Sequence, residues 1–123
     1  MDTDKTLQEH QEICEKVYAL LQEENVCLKR EQKMPSTSLL DQKKTLLARL
    51  EKSVGALKAV NDGNQKLLSS QKKQIIKVQA QMMKIFSLDR ENEQLLLKNS
   101  VHLNLGQTIR PVSLQKVEQA YKA

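Results

Sequence analysis

Glycine, proline and aromatic residues are scarce in this 123-residue chain, which holds three Gly, two Pro, two Tyr, one Phe and no Trp. So few turn formers leave too little punctuation for an all-β or α/β fold. They also leave no glycine-rich loop to cradle a phosphate. No apolar run approaches the roughly 18 residues that a membrane-spanning helix needs. The acidic start Met1-Asp2-Thr3-Asp4 is not followed by the apolar stretch of a secretory signal. Cysteine is limited to Cys14 and Cys27. Within one helix they stand roughly 20 Å apart on different faces, too far to bridge. Free thiols suit a reducing compartment, so the cytoplasm is the expected location.

What the chain does hold is leucine, glutamine and charge: 19 Leu, 14 Gln and 28% Asp, Glu, Lys and Arg. That is the makeup of long amphipathic helices, and the expected fold class is all-α. At 14.1 kDa the chain makes one domain at most, and a compact enzyme with a buried pocket is not expected. The formal charge of +5 is unevenly spread. Residues 1–33 carry eight acids and five bases, residues 34–86 three acids and ten bases, and residues 87–123 four acids and five bases. An acidic helix beside a basic stretch is what an antiparallel pair uses to choose its register. A chain that seeks nucleic-acid phosphates more often keeps one sign throughout. The basic tract of Lys66, Lys72, Lys73, Lys77 and Lys84 also lacks the interleaved aromatics on which bases stack.

Leu7, His10, Cys14, Val17, Leu21, Glu24 and Leu28 step by three and four, which predicts a helix over about 4–33. Met34-Pro35 ends it, because the residue before a proline avoids the α region and Pro35 has no donor. Ser38-Leu39-Leu40-Asp41 reads as a capping box for a second helix over 39–60. The same stepping then runs through Leu40, Lys43, Leu47, Leu50, Val54 and Leu57, and resumes through Ile75, Val78, Met82, Ile85, Asp89, Asn92, Leu96 and Asn99. Asn61-Asp62-Gly63-Asn64 places a break or kink near 61–64, with a third helix over 64–99. Residues 1–99 are therefore expected as a helical bundle in which the first helix folds back antiparallel on the second. Leu7, Val17, Leu21 and Leu28 should then bury against Leu47, Leu50, Val54 and Leu57. Gly106 and Arg110-Pro111 deny 100–123 a sustained stripe. Val112 to Tyr121 could form a short helix with Leu114, Val117 and Tyr121 on one side, but it is too short to hold unaided. The segment is therefore expected as a flexible tail, or as one that orders against another surface.

Little in the chain points to catalysis. His10 and His102 stand in different elements without a cluster of metal-ligating residues around them, so neither a metal nor a cofactor is expected. Cys14 and Cys27 lack flanking bases and read as packing residues. Glu23 and Glu24 are helix neighbours whose side chains point apart. No catalytic residue and no small-molecule substrate is expected. The segment Ile75-Ile76, Val78, Met82-Met83, Ile85-Phe86 and Leu88 is more apolar than one stripe requires, as in a helix that also binds a partner helix. Leu95, Leu96 and Leu97 sweep about 200° of a helix, so one face cannot bury all three. Leu96 continues the inward stripe, and Leu95 or Leu97 should face the tail or a partner.

Three motifs in order resemble those of the FlgN-like flagellar export chaperones of bacteria. Glu24 with Leu28 closes the first helix. Lys43-x-x-Leu46-Leu47-x-x-Leu50 follows, and Leu88-Asp89-x-x-Asn92-x-x-Leu95-Leu96 closes the long helical stretch. The resemblance spans about 24–97. It implies a left-handed antiparallel bundle of long helices with a flexible C-terminal tail. It also implies a function: binding the C-terminal helical region of hook-associated flagellar proteins before export, preventing premature assembly, and delivery to the export gate. The client-binding positions it implies are Asn92, Leu95, Leu96 and Leu97. By extension into the tail they include Val101, Leu105, Ile109, Val112, Leu114 and Val117. Tyr121 corresponds to a C-terminal tyrosine that contacts the export gate, although the glycine that usually follows is missing. The residues by themselves also admit a generic coiled-coil scaffold that associates through the 40–99 stripe, with Asn61, Asn64, Asn92 and Asn99 setting register.

Overall fold

The computed structural model describes residues 3–31, 33–62, 67–102 and 114–122, with side chains at all of these except 61, 62 and 100–102. Four helices account for almost all of them: α1 (Thr3–Lys29), α2 (Thr37–Asp62), α3 (Ser69–His102) and α4 (Gln115–Lys122). No strand occurs among the described residues. The all-α class expected from composition is the class observed.

Local chemistry sets the helix ends, which differ from the sequence expectation by a few residues. Beyond α1, Arg30 and Glu31 both donate to the Val26 carbonyl, at 3.0 and 3.4 Å, and Lys33 turns back to the Cys27 carbonyl at 3.2 Å. The Cys27 thiol points at the Lys33 and Met34 carbonyls, 3.7 Å from each. The first helix thus ends at Lys29, short of the expected 33. The cap of α2 is Ser36, two residues before the expected Ser38. Ser36 Oγ accepts the Leu39 N–H at 3.1 Å while its carbonyl accepts the Leu40 N–H at 3.1 Å. Pro35 fixes the approach, so the first serine after it becomes the cap. Helix α3 opens at Ser69, later than the expected 64. Gln71 Oε1 reaches back to the Leu68 N–H at 2.8 Å, the reciprocal half of a capping box.

Side-chain pairings define the topology. His10 meets Ser53, and Glu24 meets Lys43, so α1 and α2 run antiparallel. Gln71 meets Asp4, Cys14 meets Met82, and Asn99 meets the Leu28 carbonyl, so α1 and α3 run parallel. The chain therefore reverses between Asp62 and Ser69, making two helices rather than one kinked rod. Helix α1 packs along both α2 and α3, whose backbones do not pack closely on each other. Leu7, Val17 and Leu21 share one core with Leu47, Leu50, Val54 and Leu57, as the hairpin expectation required, and Leu28 is buried as well. Val78, Met82 and Ile85 of α3 complete that core. Each such side chain contributes about 1.5–3 kcal/mol on burial. None of the described helices is long and apolar enough to cross a membrane.

One residue works against the fold. Gly55 lies in the interior of α2 on its exposed side, and a Cβ built there meets nothing within 4 Å. Glycine in a helix interior costs about 0.5–1 kcal/mol relative to alanine. Gly55→Ala should stabilise the chain by about that amount, read as a rise in the urea midpoint at unchanged m-value.

Candidate helix-docking site

Because α1 holds α2 and α3 apart on one side, a groove opens between them on the other. Helix α4 lies in it. Its backbone comes closest to α2, and its side chains reach α3. Leu114, Val117 and Tyr121 follow spacings of three and four, which puts them on one helix face. Leu114 and Val117 are 1% and 2% exposed and belong to the common core. Tyr121 is half-buried and meets Phe86 edge-on, with ring centroids 5.8 Å apart. Burial pushes its phenol pKa up. On the outer side Arg90 pairs with Glu118, which also holds Lys122 at 3.4 Å. Residues 114–122 therefore depart from the flexible tail expected over 100–123. Three apolar side chains suffice because the groove presents them with a ready-made apolar wall.

At the head of the groove stands a buried ionic cluster contributed by three helices. Lys43 of α2 donates to both carboxylate oxygens of Glu24 of α1, at 3.0 and 3.2 Å. The same ammonium lies 3.0 Å from Asp89 Oδ1 of α3, a charge contact without hydrogen-bond alignment. All three side chains are 4–6% exposed. Asp89 Oδ2 accepts the backbone N–H of Leu114 at 2.9 Å, at the start of α4. Asn92 donates to Glu24 Oε1 and to the Leu21 carbonyl, both at 2.9 Å, and accepts from Asn25 at 2.8 Å. One heptad along, Asn99 repeats the contact by donating to the Leu28 carbonyl at 2.9 Å. All four helices converge on this cluster.

The residues singled out from the sequence are dispersed by this arrangement. Asn92, expected at the client surface, is 1% exposed and spends its amide inside the bundle. Its polar side chain is needed to satisfy Glu24 and a helix carbonyl. Leu96 is buried, Leu95 half-buried, and Leu97 47% exposed, in line with the division expected among the three leucines. Leu97 continues the face of Phe86, Arg90 and Glu93, α3 residues that with Asp89 border the start of α4. Leu114 and Val117 fill the groove rather than standing free, and Tyr121 is held against Phe86. Leu105, Ile109 and Val112, together with the Val101 side chain, lie outside the described residues. Phe86 belongs to the apolar segment expected to bind a partner helix. Glu24, Lys43 and Asp89 stand in the three motifs but were not read as one cluster, although each is a charged residue at a stripe position, where apolar ones belong.

A second polar cluster lies deeper between the helices. His10 is fully buried, with Nδ1 2.7 Å from Ser53 Oγ and Nε2 3.5 Å from Cys14 Sγ. Cys14 in turn donates to Met82 Sδ at 3.5 Å. One proton arrangement serves all three contacts: Ser53 donates to Nδ1, and Nε2–H faces the sulfur. Burial lowers the imidazole pKa to about 4 and, with Glu15 nearby, raises the Cys14 thiol to about 12. A neutral imidazole beside a protonated thiol is a packing element rather than an activated nucleophile. No group of three His, Cys, Asp or Glu side chains able to hold a metal occurs among the described residues. Comparison of the chain with models of known protein families, with curated proteins and with solved structures finds no match.

The two clusters make separate predictions. His10 has a depressed pKa, so between its ordinary 6.5 and about 4 the unfolded chain binds the extra proton. The stability it contributes is complete above about pH 6.5 and declines as pH falls toward about 4, by on the order of 2–3 kcal/mol. Urea unfolding at pH 7.5 and 4.5 should show that loss, and His10→Gln should reduce it. Lys43→Met leaves two buried carboxylates facing each other and should cost about 3–5 kcal/mol. Adding Glu24→Gln and Asp89→Asn to that variant should restore most of it in the same assay.

Proposed function

We propose that this chain acts by binding helices: it is a helix-docking adaptor whose site is the groove between α2 and α3. Within that class, the reading is a FlgN-like flagellar export chaperone. It acts in the cytoplasm on the C-terminal helical region of a hook-associated protein, keeps that region from assembling early, and hands it to the export gate. It performs no chemistry on its client. The observation that carries the reading is α4 itself, an eight-residue helix already seated in the groove. A helix that short does not persist alone in water. Leu114, Val117 and the half-buried Tyr121 are the apolar side chains that hold it, so α4 is only weakly anchored. A longer client helix that follows α3 as far as Leu97 gains more apolar contact and displaces it. The motif residues that resemble the family also support the reading, because Lys43 and Asp89 belong to the ionic head, and Leu47 and Leu50 share a core with Leu114 and Val117 against which Leu88 packs.

The test is titration of the chain with a synthetic C-terminal helical segment of a hook-associated protein. Saturable binding is expected, with loss of amide protection in 118–122 of α4. Leu97→Glu should weaken binding about ten- to a hundredfold while leaving the melting temperature unchanged. No binding, or binding indifferent to Leu97, removes the chaperone reading. A second reading, a coiled-coil scaffold that self-associates, draws on Ile76 and Met83. These are 65% and 53% exposed and stand one heptad apart on α3. A dimer that Met83→Glu converts to a monomer would favour it.

A further inference from the structure

The ionic cluster does not balance. Glu24 and Asp89 carry two negative charges against the single positive charge of Lys43, and all three are more than nine-tenths buried. Two of the three Lys43 donors go to Glu24. Asp89 Oδ1 has the Lys43 ammonium 3.0 Å away without hydrogen-bond alignment, and Oδ2 accepts the Leu114 N–H. A surplus negative charge out of water requires positive potential close by. A helix N-terminus supplies it, through unpaired N–H groups and the dipole, whereas a C-terminus presents carbonyls and repels. Leu114 accepts the first α4 bond through its carbonyl, from the Glu118 N–H at 2.8 Å, so it stands at the N-cap position. Leucine is among the poorest caps, and the carboxylate that a cap would supply comes from α3 instead. The only acid of α4, Glu118, is turned away to Arg90.

We propose that Asp89 makes the groove selective for the N-terminal end of a helix. A partner helix is accepted only in the polarity of α4, with apolar side chains at the Leu114, Val117 and Tyr121 spacing and no carboxylate at the positions of Leu114 to Val117. Helix α4 occupies the site as the chain's own example of that partner. This inference rests on the helix-docking reading and specifies what the groove recognises. A free helix gains from an acid in its first turn. In this groove the sign is reversed, because a second carboxylate meets Asp89.

The experiment uses the whole chain and reads amide-exchange protection at 118–122 against core amides such as Leu21, Leu50 and Ile85. A semisynthetic chain with an ester in place of the Ser113–Leu114 amide loses the donor to Asp89 and keeps every side chain. It should lose about ten- to a hundredfold of α4 protection, with the core unchanged. Gln115→Glu should lower α4 protection in the native chain and raise it in an Asp89→Asn background. Full α4 protection in the ester chain, or a Gln115→Glu effect of the same sign in both backgrounds, overturns the proposal. If Asp89→Asn unfolds the chain, the ester comparison decides alone. Because the readout is α4 and needs no client, failure of a hook-protein segment to bind leaves this result standing and defeats the chaperone reading separately.

Discussion

The Lys43 ammonium, held between Glu24 and Asp89, is the constraint on which the rest of the structure depends. It joins α2 to α1 by two hydrogen bonds and to α3 by a charge contact, and Asp89 passes the link on to the start of α4. A buried ion cluster of this kind is no net source of stability, since well-packed apolar residues do as well or better. Its consequence is discrimination. A slip of one helix by a turn moves one charge away from its partners and strands it in the core, so only one register is tolerated.

The asparagines extend that constraint along the bundle. Asn92 and Asn99 make the same bond to Leu21 and Leu28 carbonyls one heptad apart, which locks α3 parallel to α1. With α1 holding both neighbours, α2 and α3 diverge on the far side and leave the groove. The groove is therefore a product of register as much as of apolar surface. The lower part of the bundle, around His10, Cys14, Ser53 and Met82, is satisfied within itself and makes no demand for a partner. The head of the groove does make one, and α4 answers it.

Much of the fold was legible along the chain. The stripe from Leu7 to Leu28, the Pro35 break and the stripe from Leu40 to Leu57 specify two helices that must fold back together, because neither apolar face can stay in water. The ends were less legible, since Ser36 and Ser38 are both competent caps and only the approach set by Pro35 chooses between them. The C-terminal segment was legible only as a choice between a flexible tail and a short helix ordered by another surface. Leu114, Val117 and Tyr121 make a face too small to predict a stable helix, and the partner surface that makes it sufficient comes from residues far away in sequence. Asn92 stood out correctly as unusual, but a polar residue on an apolar stripe looks the same whether it faces a client or a carbonyl of a neighbouring helix.

By itself the sequence determined the helical class, the antiparallel hairpin of α1 and α2, and which polar residues stand on the apolar stripes, because periodicity and the α-breaking geometry of proline act locally. Which of those polar residues meet was decided only by the tertiary structure. Glu24, Lys43 and Asp89 come from three helices, and their encounter depends on the relative rotation and height of all three, which no local pattern encodes. The same holds for α4: its eight residues carry the apolar face and lack a cap, and the groove together with the Asp89 carboxylate supplies what the segment cannot provide alone.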